Sequence, residues 1–215
     1  MDNSLMKIFN GREEFAIYML DKYKNKVNGK LCSDIGSGYG WMGKHIQNVG
    51  KIWQPFDYVR KIDNSVIWDL NTPCPIDNFN ADLCFMLEVL EHTANPLLAI
   101  QNISEHLKTG AILVISVPNP SWSKNRIHLF FKGFLYSFQK KHLQEHHVFT
   151  PWRHVVEFFF EQTGFEILEY HSINQPERKP TNIKELFIRI LQKLIEKRDS
   201  TSIGISYGLV LQKKV

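Results

Sequence analysis

The chain has 215 residues, 43% of them hydrophobic, enough to build one α/β domain with a sizeable core. A net charge of +4 suits an anionic substrate or a membrane surface as well as an ordinary solvated exterior. Cys32, Cys74 and Cys84 lack both the pairing of a disulfide framework and metal-ligand spacing, and no segment reaches about 18 apolar residues; a cytoplasmic protein without a metal site is expected.

Strand-like and helix-like segments alternate along the chain. Residues 12–27 read as a helix, with Phe15, Met19 and Tyr23 on one face. Leu31–Ile35 reads as the first strand, residues 40–48 as a crossover helix, Ile52–Phe56 as a second strand and Ser65–Trp68 as a third. Asp82–Leu87 is a mostly apolar fourth strand, as expected where both sheet faces are covered. Asn95-Pro96 supplies a cap and a first-turn proline for a helix to about His106. Lys108-Thr109-Gly110 should stop it before a fifth strand, Ala111–Val117. Thr150-Pro151 repeats the cap-plus-proline signal for a helix to about Gln162, and Phe165–Ser172 and Ile203–Leu211 complete seven strands. The rhythm predicts one domain over residues 1–215, an α/β Rossmann-like doubly wound fold with a mainly parallel seven-stranded sheet.

Asp34-Ile35-Gly36-Ser37-Gly38-Tyr39-Gly40 directly follows the first strand, and Asp57 ends the second. Glycines between a strand and a helix let backbone N–H groups approach a ligand closely. A carboxylate about 20 residues on is placed to accept hydrogen bonds from a ribose diol. A dinucleotide site would want Gly-x-Gly-x-x-Gly, whereas here Trp41 stands at the third position and the glycine falls one place early, at Gly40. Asp34 would also repel a pyrophosphate and attract an ammonium group. Adenosine joined to an amino acid through a sulfonium meets that demand.

Several segments then occur in a telling order: Asp34–Gly40, Asp57, Asp69-Leu70, Asn80-Ala81-Asp82, Leu87-Glu88-Val89-Leu90-Glu91-His92, Leu107-Lys108-Thr109-Gly110, Val117-Pro118-Asn119 and Thr163-Gly164-Phe165. On these the chain resembles the class I S-adenosylmethionine-dependent methyltransferases of small-molecule type, over about residues 30–172. The resemblance implies S-adenosyl-L-methionine as cofactor. It implies that the backbone of Gly36, Ser37, Gly38 and Gly40 borders the methionine part, with Asp34 at the ammonium group. Asp57 would take the ribose hydroxyls with Phe56 and Tyr58 beside the adenine, Asp69 and the Leu70 N–H would meet the adenine, and Glu88 would lie near the sulfonium. Gln54-Pro55, just before Asp57, departs from the small or aliphatic residues usual in this family.

The chemistry asked of such a protein is mostly alignment of a nucleophile with an activated methyl group and exclusion of water. For a hydroxyl acceptor a nearby base helps, and His92, His146 and His147 are the candidate catalytic residues. No Asn/Asp-Pro-Pro-aromatic stretch follows the fourth strand, which argues against nucleic-acid amino-methylation and for oxygen. Residues 120–149 form an insertion dense in aromatics and lysines, suited to a helical lid over a small-molecule or lipid-linked acceptor, to a membrane-surface helix, or to a cap packed on the core. Asn119 to Thr150 loosely resembles enzymes of surface-polysaccharide and quinone biosynthesis. Residues 182–198 carry an apolar i, i+3, i+4, i+7 stripe, expected to dock on its own domain, with a homodimer or peripheral membrane contact as alternatives. Two rival readings are a non-catalytic cofactor-binding protein of the same fold and an NAD-dependent oxidoreductase.

Overall fold

A computed structural model describes residues 6–76, 80–144, 146–176 and 178–214. Among the described residues, eight strands form one sheet: β1 (Ile8–Phe9), β2 (Leu31–Ile35), β3 (Ile52–Asp57), β4 (Val66–Ile67), β5 (Ala81–Leu87), β6 (Leu107–Pro118), β7 (Phe165–Ile173) and β8 (Ser206–Lys213). Their order is β1-β7-β8-β6-β5-β2-β3-β4, and only β8 runs antiparallel to its neighbours. The fold is therefore the expected mainly parallel α/β sheet, with eight strands in place of seven.

The additional strand, β1, is two residues long, too short to show a period of two. It pairs Ile8 with Ser172 and Phe9 with Ile173 on β7. The fully buried Phe9 ring packs edge-on against Phe15 and His171. The Lys7 N–H donates to His171 Nδ1, and the far side of that imidazole meets Glu169 at 3.0 Å. Burial pushes the Glu169 carboxyl up, but hydrogen bonds from His171, Lys22 and Tyr23 hold it lower overall, at about 2. Because the folded value lies below that of the unfolded chain, the ionised group stabilises the fold above about pH 4.5, and the benefit fades as pH falls toward 2. Glu169→Gln should cost about 1–2 kcal/mol near neutrality, after allowance for solvent screening, and nothing near pH 2. Chemical denaturation at both pH values measures this.

The helices are α1 (Arg12–Tyr23), α2 (Trp41–Asn48), α3 (Pro96–His106), α4 (Ser123–Lys132), α5 (Lys140–Leu143), α6 (Arg153–Gln162) and α7 (Ile183–Arg198). Two core layers sandwich the sheet, and the strands feed them alternately. Leu83 and Phe85 of β5 join Phe15, Met19 and Ile46 from α1 and α2 on one face. Cys84 and Met86 join Ile100, Ile103 and Phe160 from α3 and α6 on the other. A buried polar chain crosses between elements: Ser33 Oγ bonds Gln54 Oε1 at 2.9 Å and His106 Nε2 at 2.8 Å. Burial lowers the His106 imidazole to about 4, so it is neutral and can complete this chain without a counter-ion.

Helix α3 starts as its sequence predicts, with the Asn95 side chain accepting the Leu98 N–H and Pro96 in the first turn. Helix α6 starts later than predicted. The Pro151 carbonyl accepts a hydrogen bond from the buried Tyr207 hydroxyl at 2.9 Å, and the helix opens at Arg153 instead. Strand β6 begins earlier than predicted, at Leu107, because a register irregularity against β5 absorbs Gly110 at φ 81°.

The predicted insertion folds as α4 and α5. Helix α7 lies against α4, tied by Ser123 Oγ to Glu196 at 2.8 Å and by Arg126 to Asp199 at 2.6 Å. The apolar stripe docks only in part: Leu191 and Ile195 are half-buried beside the buried Gln192, whereas Ile183, Leu186, Phe187, Ile190 and Leu194 are exposed. Phe130 and Phe131 of α4 are exposed as well. No described helix is long and apolar enough to cross a membrane.

Candidate functional site

The carboxyl ends of β2, β3 and β5 converge on one sheet edge, where open α/β sheets bind ligands. Between β2 and α2 the chain turns at Gly36, Gly38 and Gly40, all left-handed (φ 73°, 55° and 77°), which accounts for the alternating glycine spacing. The Gly36 and Ser37 N–H groups both donate to the Phe56 carbonyl at 2.9 Å. A methyl group at position 36 would come within 2.4 Å of Val89, and one at position 40 within 2.8 Å of the Trp53 ring. One at position 38 would meet nothing nearer than the Gly36 carbonyl oxygen at 4.0 Å, so Gly38 is the least crowded of the three.

Asp57 closes this loop. Its Oδ2 accepts the Gly38 N–H at 2.8 Å and its Oδ1 accepts the Val59 N–H at 3.3 Å, with the Lys61 ammonium 4.0 Å away. Asp34 is only 4% exposed and accepts the Trp53 indole N–H at 3.0 Å. Burial raises its carboxyl to about 6; the Trp53 bond opposes that rise and the Asp57 charge adds to it. Asp69 caps the turn after β4, accepting the Asn71 N–H at 3.0 Å and its side-chain amide at 2.8 Å. The Leu70 side chain is buried, and its carbonyl accepts Asn102 Nδ2 at 2.8 Å.

One expected ligand contact requires correction. The Phe56 ring is 1% exposed and packs edge-on against Trp68 and His106, so it supports the edge from within the core and offers the loop only its carbonyl. Tyr58, 70% exposed, remains on the open side.

Glu88, just past β5, holds a left-handed backbone (φ 55°), uncommon for a side-chain-bearing residue and a local store of strain. Its N–H donates to the Ser116 carbonyl at 2.8 Å, which locks the turn. Its Oε2 accepts from Ser206 Oγ at 3.3 Å, while Oε1 is buried without a hydrogen bond. Burial pushes the carboxyl up, against the pull of the Ser116 and Ser206 hydroxyls and Arg12. Glu91, three residues on in a 3-10 turn (Leu90–His92), is 1% exposed with Oε2 unbonded. Burial raises it well above the carboxylate range, and the Glu88 charge adds to the rise.

Of the three histidines, the fold brings two together. The His92 and His147 rings meet edge-to-face with centroids 4.8 Å apart, and His92 Nε2 lies 3.9 Å from Glu91 Oε1. His146, left-handed at φ 59° and exposed, stands outside this group. Glu91 and Trp53 carried no assigned role in the sequence. The Glu88-x-x-Glu91 spacing was the available signal for the first; nothing local marked Trp53, which becomes a neighbour of Asp34 only through β2–β3 pairing.

A family model described as a methyltransferase domain matches residues 13–170. No curated protein matches the chain. Among solved structures, a SAM-dependent methyltransferase from Archaeoglobus fulgidus is 18% identical, with a TM-score of 0.61 over 94% of this chain and 95% of that one. An S-adenosylmethionine-dependent methyltransferase from Mesorhizobium loti is 14% identical, with a TM-score of 0.58 over 94% and 97%. The cyclase SpnF is 13% identical, with a TM-score of 0.52 over 94% and 80%. At these identities the likeness is one of fold.

Proposed function

The chain belongs to the methyltransferase-domain family, and from that membership we propose that it moves a methyl group from S-adenosylmethionine to an oxygen of a small or lipid-linked acceptor. The observation that carries the reading is Asp57, which pins the glycine loop through the Gly38 N–H and whose two oxygens keep acceptor capacity beyond the Gly38 and Val59 N–H groups. The residues fit this cofactor on their own terms. Asp34, Asp57 and Glu88 gather at this edge; burial raises the Asp34 and Glu88 carboxyls, and a ligand bearing an ammonium and a sulfonium would favour their ionised forms where a pyrophosphate would oppose them. At Gly38 an added methyl group would have no neighbour nearer than 4.0 Å, which supports close approach of a ligand to the backbone there.

In this reading the bound cofactor supplies a methyl group already activated by its sulfonium. Asp34 holds the amino-acid end, Asp57 the ribose diol, and Asp69 with the Leu70 N–H the adenine, with Tyr58 flanking it. Glu88 stands toward the transfer end, and the paired His92 and His147 rings support activation of an acceptor hydroxyl, with His146 outside the pair. The exposed apolar faces of α4 and α7, edged by Lys132, Lys193 and Lys197, support an apolar acceptor presented at a lipid surface. The cysteine usage supports a cytoplasmic setting.

The deciding experiment supplies S-adenosylmethionine with a panel of alcohols and phenols, water-soluble or embedded in vesicles, and measures S-adenosylhomocysteine release. Turnover with a hydroxyl acceptor is expected, fastest for the vesicle-borne set. Tight cofactor binding with no turnover across the panel favours a non-catalytic binder. Binding of NAD in place of the sulfonium compound would establish the oxidoreductase reading.

A further inference from the structure

We propose that Glu91, His92 and His147 bind a divalent transition-metal ion at the edge of the methyl-transfer crevice. The ligand atoms these three side chains offer all lie within 4.8 Å of one another. Donors bound to one zinc-like ion at about 2.0–2.2 Å stand roughly 3–4 Å apart, so modest side-chain rotation closes the set.

Three features show a prepared cluster. The first is Glu91, whose Oε2 is buried without a hydrogen bond on a residue only 1% exposed. An acidic oxygen withdrawn from water without a partner is costly, and a cation facing it removes the cost. The second is a backbone clip: the Val148 and Phe149 N–H groups both donate to the Glu91 carbonyl, at 2.9 and 3.1 Å. This fixes the segment carrying His147 against the turn carrying Glu91 and His92. The third is support behind the His147 ring, which stacks on His142 with centroids 5.7 Å apart and rests against Phe138. Packing of this kind orients a ligating imidazole.

The donor set selects the metal class. Two imidazoles and one carboxylate favour Zn, Mn, Fe or Co over Mg or Ca, which prefer oxygen-only shells. Three protein ligands leave coordination positions open, and exposed His92 puts them at the surface of the crevice. An acceptor hydroxyl, or an adjacent pair of hydroxyls, is the ligand suited to those positions. That assignment of acceptor rests on the methyl-transfer reading above, whereas metal binding stands without it. It also makes the two histidines ligands rather than proton-abstracting bases.

The test uses the full chain, stripped with chelator and dialysed. Titration with Zn2+, Mn2+, Co2+ or Mg2+, followed by calorimetry and elemental analysis, should give one equivalent of transition metal per chain and no saturable Mg2+ binding. Co2+ should develop a visible absorption band. His147→Ala and Glu91→Gln should each lower Co2+ affinity at least tenfold, His146→Ala should bind as wild type does, and all three should retain S-adenosylhomocysteine binding. That retention separates a failed metal site from a failed cofactor site. Absence of saturable transition-metal binding by the wild type, or unchanged binding by a His92→Ala/His147→Ala double variant, overturns the proposal.

Discussion

Asp57→Ala should lower affinity for S-adenosylhomocysteine at least a hundredfold in calorimetric titration. The proposed ribose diol would make two hydrogen bonds to one carboxylate, each worth about 1.5–3 kcal/mol because the acceptor is charged. The same carboxylate anchors the Gly38 N–H at 2.8 Å, so alanine also releases the loop at Gly38. Asp57→Asn separates the two effects. Its amide oxygen can still accept from Gly38, so the loop stays closed, but it offers the diol one neutral acceptor and a competing donor. We expect the asparagine variant to lie between wild type and alanine in affinity and to match wild type in thermal stability. Equal loss in both variants, with equal melting temperatures, would mean that the diol contact carries the whole effect. Undiminished binding by Asp57→Ala removes the ribose assignment.

Much of this architecture was legible because local chemistry and tertiary role agree. Asp82–Leu87 and Asn95-Pro96 became the predicted strand and cap because a mostly apolar run and an Asn-Pro pair act within a few residues. The glycine loop was legible for the same reason, since three alternating left-handed positions demand glycine wherever they fall. What escaped depends on partners distant in the chain. Strand β1 exists because Phe9 finds Phe15 and His171, a contact no two-residue pattern announces. The start of α6 is set by Tyr207 claiming the Pro151 carbonyl. The outward stripe of α7 is amphipathic in sequence, but which face meets the domain is decided by α4 and the Asp199–Arg126 and Glu196–Ser123 contacts. The Glu91–His92–His147 group is the clearest case: two members are adjacent in sequence, and the third arrives only when the segment before α6 folds back onto the turn after β5.

Asp34→Asn should stabilise the ligand-free protein while weakening its hold on the cofactor. Burial raises the Asp34 carboxyl from an ordinary 3.8 to about 6, and the Asp57 charge adds to the rise. Its folded value therefore lies above its unfolded one. Between about pH 4 and 6 the native state holds the extra proton, and stability falls as pH rises through that window. Above it the ionised group costs up to about 3 kcal/mol relative to an unshifted one. Asparagine keeps an acceptor for the Trp53 indole N–H and carries no charge, but buries an amide donor of its own, so a net gain of about 1–2 kcal/mol at pH 8 is expected. For a chain of this size that is a rise in melting temperature of roughly 2–8 °C. Near pH 4 the two proteins should converge, because the aspartate is then protonated when folded. Cofactor affinity should move the opposite way. In the proposed binding mode an ionised Asp34 meets the ligand's ammonium group, so wild-type affinity should rise with pH through about 6, while the variant binds more weakly and with a flatter pH profile. Scanning calorimetry and binding titrations from pH 4 to 8 read both effects. A variant less stable than wild type at pH 8, or one that binds the cofactor equally well, would show that the buried acid is a structural partner of Trp53 and not a seat for a cation.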